Sequence, residues 1–182
     1  MAPRDSRGGE ESLLRHAARA AVEAAARPVI VVLGAAGDAL APQLAGLPVH
    51  VVAHSGWERG IGSSIKVGLE CLLALAPAVD AIMLSVCDQP HLSASVFSRL
   101  GRAYRGSEAV VVASSYAGVA GVPALFDRTV FSELQALRDE EGARSLIERD
   151  ETRIATVPFP LGSIDLDTPA AYQDYVRQAT GR

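Results

Sequence analysis

Val79-Asp80-Ala81-Ile82-Met83-Leu84-Ser85-Val86-Cys87-Asp88-Gln89-Pro90 is the stretch on which the fold turns. Residues 79–86 read as a short hydrophobic strand of the kind buried inside a sheet. Asp88-Gln89-Pro90 stops it, because proline lacks a backbone N–H and fixes the turn. A carboxylate at the end of such a strand faces a cleft and is a good ligand for a hard cation. The same spacing also describes an ordinary strand-ending turn aspartate.

Outward from this strand the pattern repeats. Towards the N-terminus, residues 11–26 carry Leu13, Leu14, Ala17, Ala18, Ala21, Val22 and Ala25 at helical spacing, with Arg15, Arg19 and Glu23 on the other face. Residues 29–33 and 48–53 read as buried strands, with a short helix over 38–44 between them. A glycine- and serine-rich loop, 55–64, leads into a helix from about 63 to 75. Towards the C-terminus, Ser93 or Ser95 caps a helix reaching Tyr104. Residues 109–113 form a fourth strand, 114–121 a loop, and Val122-Pro123-Ala124-Leu125-Phe126 follows. Helices are expected over 128–137 and 143–148, a strand over 154–157, and a last helix over 169–178 with Thr168 as cap and Pro169 at its first position. Helix alternates with uniformly apolar strand. That pattern implies a three-layer α/β fold, a mostly parallel sheet with helices on both faces. No repeat or linker interrupts it, so residues 1–182 read as one domain.

Composition narrows the function. Apolar residues make up 49% of the 182 and charged residues 21%, a globular balance, and the formal net charge is −4. No basic patch or aromatic ladder suggests nucleic acid, and no apolar run approaches a membrane span. Cys71 and Cys87 do not make a disulfide framework, which points to a reducing, cytoplasmic setting. Lys66 is the only lysine. The histidines, His16, His50, His54 and His91, show no zinc-ligand spacing.

In open α/β sheets ligands bind beyond the carboxyl ends of the strands, which selects the segments 34–38, 55–64, 88–91 and 114–121. Two further carboxylates, Asp165 and Asp167, precede the last helix. They are two apart in an extended segment and point the same way. They suit either helix capping or the completion of a metal site with Asp88. In the glycine–serine loop, Gly60 and Gly62 allow close backbone approach to a ligand. Ser63 and Ser64 open a helix whose N–H groups attract anions. A flexible loop with a serine cap accounts for the same serines.

Taken together, these residues resemble a known family. Gly56-Trp57-Glu58-Arg59-Gly60-Ile61-Gly62-Ser63-Ser64-Ile65 with Gly68 is similar to the W-x-x-G-x-x-S-S-[LI]-x-x-G segment of molybdenum cofactor cytidylyltransferases. Cys87-Asp88-Gln89-Pro90 matches their D-Q-P motif, and Gly121-Val122-Pro123-Ala124-Leu125-Phe126 resembles their G-x-P-x-L-F segment. Asp139-Glu140-Glu141-Gly142-Ala143-Arg144 resembles G-D-x-G-A-R, and Asp165-Leu166-Asp167-Thr168-Pro169 resembles D-I-D-T-P. The five matches occur in order across roughly residues 11 to 178. The resemblance implies a Rossmann-like, GT-A-like nucleotidyltransferase fold. It implies Mg²⁺-dependent transfer of CMP or GMP from CTP or GTP to a phosphorylated small molecule, molybdopterin above all, with release of pyrophosphate. By the same resemblance Asp88 and Asp167 are the catalytic carboxylates and Asp88, Asp167 and Asp165 the metal ligands. Arg4, Gly60, Ser63, Ser64 and Asp88 fall on the nucleotide, and Gln89, Pro123 and Arg144 on the acceptor. A molybdoenzyme or another protomer is the expected protein partner.

The family opens with a strand and L-A-A-G-x-S-x-R-M-G-x-P-K, whose backbone and basic residues grip the triphosphate. Here Met1-Ala2-Pro3-Arg4 resembles the tail of that motif, with Arg4 in place of lysine, and the first strand and phosphate loop have no counterpart. A start codon set too late, a shortened paralogue and a truncated chain each account for this, and the near-match favours the first. The rivals to enzymatic transfer to molybdopterin are a non-catalytic accessory protein that keeps the fold and a sugar-phosphate nucleotidyltransferase.

Overall fold

A computed structural model describes residues 11–166 and 168–180. Six strands and seven α-helices alternate along them, with short 3₁₀ turns between. The strands are β1 (Ile30–Leu33), β2 (His50–Ala53), β3 (Ala81–Leu84), β4 (Val111–Tyr116), β5 (Val119–Asp127) and β6 (Ile154–Pro158). The helices are α1 (Leu13–Glu23), α2 (Gly37–Leu40), α3 (Ile61–Leu75), α4 (Ala94–Arg105), α5 (Phe131–Gln135), α6 (Arg144–Arg149) and α7 (Pro169–Thr180). Caps set several of the starts. Ser93, not Ser95, caps α4 through its bond from Val96 N at 3.4 Å, and Thr168 Oγ1 accepts from Ala171 N at 3.1 Å at the head of α7.

The layers follow from period-two alternation along the strands. Val111 and Ala113 of β4, with Ala124 and Phe126 of β5, face a cluster built from Leu69 of α3, Phe131 and Leu134 of α5 and Ile147 of α6. The intervening Val112 and Leu125 face the opposite cluster, with Ala20 of α1 and Phe97 and Leu100 of α4. Both faces of the sheet are therefore covered, and the expected three-layer α/β arrangement is present.

The sheet itself departs from the parallel expectation. β1 pairs with β2, and β4 with β6, in parallel, but β5 lies between β3 and β4 and runs antiparallel to both. The cause is local. Residues 114–121, expected as a loop, are the ends of β4 and β5 joined by a two-residue hairpin. Ala117 and Gly118 both have positive φ, as the hairpin turns of this length require. Such a turn reverses the chain, whereas parallel neighbours need a crossover. A second expectation fails at β2, which was expected to be buried. His50, Val51 and Ala53 are exposed, because β2 is an outer strand with β1 as its neighbour.

The strands fall into two groups, β2-β1 and β3-β5-β4-β6, and among the described residues no strand hydrogen-bonds to both. Helices hold the two groups in one layer. Ala18 and Leu14 of α1 pack on Leu33 and Val31, while Ala17, Ala20 and Ala21 of the same helix pack with Ala81 and Met83. On the other face α3 sets Gly68 against Val32 of β1 and Leu69 against Ile82 of β3. Among the described residues, no helix is long and apolar enough to cross a membrane.

Candidate active site

β3 ends at Leu84, short of the expected Val86, and the chain continues without regular structure, bending at Cys87, to Asp88. The carbonyl of Asp88 accepts a hydrogen bond of 3.0 Å from Leu166 N. Leu166 follows Asp165, so this single backbone bond lays the two acidic segments side by side, although they are distant in sequence. Asp165 is exposed to solvent, and Asp167 lies outside the described residues, as does Arg4.

Gln89, 3% exposed, does not reach outward with its amide nitrogen. Nε2 donates to the carbonyls of Gly162 at 2.8 Å and Val122 at 3.2 Å. The Asp88 loop is thereby tied to the turn before Asp165 and to the segment before Pro123. Gln89 Oε1 is buried, with no hydrogen-bond partner among the described residues. Pro123, after a cis peptide bond, is fully buried, and its carbonyl accepts from Ser114 Oγ at 2.7 Å. It shapes the wall of the site and does not touch solvent. Arg144 opens α6, is well exposed and pairs with Glu148 at 2.6 Å.

Tyr116, at the end of β4, was not singled out from sequence because it fell in what reads as a loop. Its hydroxyl donates to Val122 O at 3.0 Å, the same carbonyl that Gln89 reaches. Burial pushes the Tyr116 phenol up from its ordinary pKa. The Gln89 amide and the Arg144 charge oppose this, while the carboxylates of Asp165 and Asp88 add to it. The Tyr116 phenol thus feels Asp88, Asp165 and Arg144 together.

The glycine–serine loop is built differently from the expectation. α3 begins at Ile61 with Gly60 as its N-cap, so Ser63 lies inside the helix. Ser63 is completely buried; its hydroxyl donates to Gly60 O at 2.7 Å and sits 2.8 Å from His54 Nε2, which makes that nitrogen the protonated one. Ser64, next to it, is half-buried. The first N–H groups of α3 are engaged by protein. Gly62 N and Ser63 N both donate to Asp139 O, at 2.8 and 3.4 Å. Gly60, with φ +123°, and Gly62 are glycines because the backbone of residues 138–141 passes where a Cβ would stand. His54 carried no ligand spacing and was missed for that reason, and Asp139, quoted only within the segment that resembles G-D-x-G-A-R, was given no part at the head of α3.

Asp139 also binds Lys66 Nζ at 2.5 Å and Arg59 Nε at 3.5 Å. The hydrogen bond from Lys66 holds the Asp139 carboxyl below its ordinary value. A carboxylate with a depressed folded-state pKa contributes stability above its unfolded pKa and loses it as pH falls through the folded one. Asp139→Asn should therefore lower Tm at neutral pH. Calorimetric scans should show the difference between variant and unaltered chain shrinking below the ordinary carboxylate range and vanishing at lower pH.

With the geometry in place, comparison with known proteins identifies the fold's owner. A model of the MobA-like NTP transferase domain matches residues 6–154. The chain belongs to that family. Purine catabolism protein PucB of Bacillus subtilis is 33% identical over 125 residues, which is 67% of this chain and 58% of PucB, so the match spans less than two thirds of that relative. The manganese complex of Rv0371c from Mycobacterium tuberculosis superimposes with a TM-score of 0.74 at 24% identity, over 95% of this chain and 92% of that one. A nucleotidyl transferase from Methanothermobacter thermautotrophicus, Mth528, gives a TM-score of 0.74 at 17% identity over 98% and 82%. The last two show the fold.

In this MobA-like domain the Asp88 and Asp165 segments adjoin beyond β3 through the Leu166 N to Asp88 O bond. Asp88 and Asp165 are oxygen donors on adjoining segments. Among the described residues no group of three or more His, Cys, Asp or Glu side chains forms an all-protein cage. A cation that keeps one or two carboxylates and fills its other positions from water and phosphate oxygens fits such a donor set, whereas zinc does not.

Proposed function

We propose that this nucleotidyltransferase-type domain moves a nucleoside monophosphate, CMP or GMP, from the triphosphate to a phosphorylated small molecule, with molybdopterin as the acceptor. The observation that carries the reading is the Leu166 N to Asp88 O bond, which brings the Asp165 segment against Asp88. Asp88 and Asp165, with Asp167, would hold Mg²⁺ or Mn²⁺. The ion would supply neutralisation of phosphate charge. The manganese bound by Rv0371c supports a divalent ion of this class. An oxygen of the acceptor phosphate attacks the α-phosphorus in line, the bond to the β-phosphate breaks, and pyrophosphate leaves.

The chain's own residues orient the partners. Gln89 and Tyr116 fix the Val122 carbonyl and so the segment leading into Pro123, and Arg144 offers positive charge on the acceptor side. Gly60, Ser63 and Ser64 support the base through loop shape more than through direct contact.

The accessory, non-catalytic reading is favoured by one observation. The first N–H groups of α3 and the Lys66 ammonium are taken up by Asp139, so they do not stand ready for a triphosphate. Calorimetry with CTP and GTP in MgCl₂, followed by a pyrophosphate-release screen with molybdopterin and sugar 1-phosphates, separates the readings. Nucleotide binding with release of pyrophosphate on adding molybdopterin is the expected result. Release with a sugar phosphate alone would move the acceptor class. Acceptor binding without nucleotide binding would replace transfer by the accessory role.

A further inference from the structure

Three segments meet at the ring of Tyr116. The Asp88 loop arrives through Gln89, the turn before Asp165 through Gly162, and the acceptor wall through Val122. Two glycines make room for this one side chain. A Cβ on Gly121 would collide with the Tyr116 hydroxyl and stand 3.0 Å from Cζ, and one on Gly162 would stand 2.8 Å from Cδ1. Phe159 closes the far side edge-on, with ring centroids 6.5 Å apart. Val122 O accepts from both Tyr116 and Gln89, and the second Gln89 N–H goes to Gly162 O. The hydroxyl is thus one end of a hydrogen-bond chain through Val122 O and Gln89 to Gly162 O, whose members adjoin Asp88 on one side and lead into Asp165 on the other.

We propose that Tyr116 is a positioning residue that fixes the separation of the Asp88 and Asp165 segments, and so the affinity of the site for a divalent cation. A hydroxyl donating to Val122 O holds that carbonyl at one height. The shared carbonyl sets where Gln89 lies, and Gln89 sets both the Asp88 loop and Gly162. Without the hydroxyl, Gln89 alone bonds to Val122 O, at 3.2 Å, and the two acidic segments are joined only by the Gln89 bond to Gly162 O and the Leu166 N to Asp88 O bond. Outer residues that orient metal ligands commonly change metal affinity without touching the ion. The electrostatic influence of Asp88 and Asp165 on the phenol supports this placement. The inference rests on the reading that these two carboxylates hold the ion.

The test is Mn²⁺ alone, titrated by electron paramagnetic resonance into the chain and its variants, with Tm recorded for each. Tyr116→Phe keeps the ring between Gly121 and Gly162 and removes the one donor. Its Mn²⁺ dissociation constant should rise about tenfold, with a broadened bound-ion spectrum. Tyr104→Phe is the control, since the Tyr104 hydroxyl donates to Asp127 away from the site. It should shift Tm and leave Mn²⁺ affinity unchanged. If Tyr116→Phe binds Mn²⁺ within about twofold of the unaltered chain while Asp88→Asn does not bind, Tyr116 has no positioning role and the metal reading stands. Should Asp88→Asn bind as well as the unaltered chain, the metal reading fails and this inference fails with it. Equal weakening in Tyr104→Phe would reduce the effect to general loosening and overturn the assignment.

Discussion

On the proposed role of Asp88 as a metal ligand, Asp88→Asn should lose saturable Mn²⁺ binding and depress the proposed nucleotidyl transfer by about 10²–10³-fold. The size follows from the role. A ligand that helps neutralise phosphate charge is asked for about 3–4 kcal/mol of the barrier, and each 1.36 kcal/mol is tenfold in rate. The interaction that joins the two acidic segments uses the Asp88 carbonyl, not its carboxylate, and asparagine keeps both the backbone and the side-chain shape. Isothermal titration with MnCl₂ and a pyrophosphate-release assay on the same preparation check both halves. Transfer in Asp88→Asn within a factor of about three of the unaltered chain would remove Asp88 from the site.

Gly62→Ala should destabilise the fold by about 3 kcal/mol, lowering Tm by about 6–12 °C for a chain of this length. Two effects oppose each other at this position. Alanine is favoured over glycine inside a helix by about 1 kcal/mol, and Gly62 is the second residue of α3. Against this, the added methyl would collide with Arg138 O and lie 2.7 Å from Glu141 O and 3.0 Å from Asp139 O. These are backbone atoms and cannot rotate away. Relief requires the 138–141 segment to lift, which breaks the bond from Gly62 N to Asp139 O at 2.8 Å and strains the Lys66–Asp139 pair. The clash therefore wins over propensity. Thermal unfolding followed by circular dichroism decides the sign, and a Tm equal to or above that of the unaltered chain would mean that the segment does not pack as described.

Much of the secondary structure was legible because its signals are local. The apolar periodicity of 13–23, the serine at 93 and the Thr168-Pro169 pair each mark a helix through interactions within a turn or two. Apolar runs at 30–33, 81–84 and 154–158 mark strands for the same reason. Asp88 was legible as a site candidate because it follows an apolar run that Pro90 cannot continue, although β3 itself ends at Leu84. Strand direction was not legible. Ala117-Gly118 is a weak turn signal in sequence, yet it reverses β5 and makes the sheet mixed. The glycines at 60 and 62 were read as space for a ligand, but the space is filled by residues 138–141, which lie far along the chain.

The sequence by itself determined that helices and strands succeed one another along the chain, that a carboxylate follows the third apolar strand, and that an acidic pair precedes the last helix. Those facts are encoded in neighbours a few residues apart. Tertiary structure alone decided that Leu166 bonds to Asp88, that Asp139 closes the head of α3, and that Tyr116 and Gln89 share the Val122 carbonyl. Each depends on segments brought together by packing across the sheet, and hydrogen bonds between distant segments leave no periodic trace in the chain that makes them.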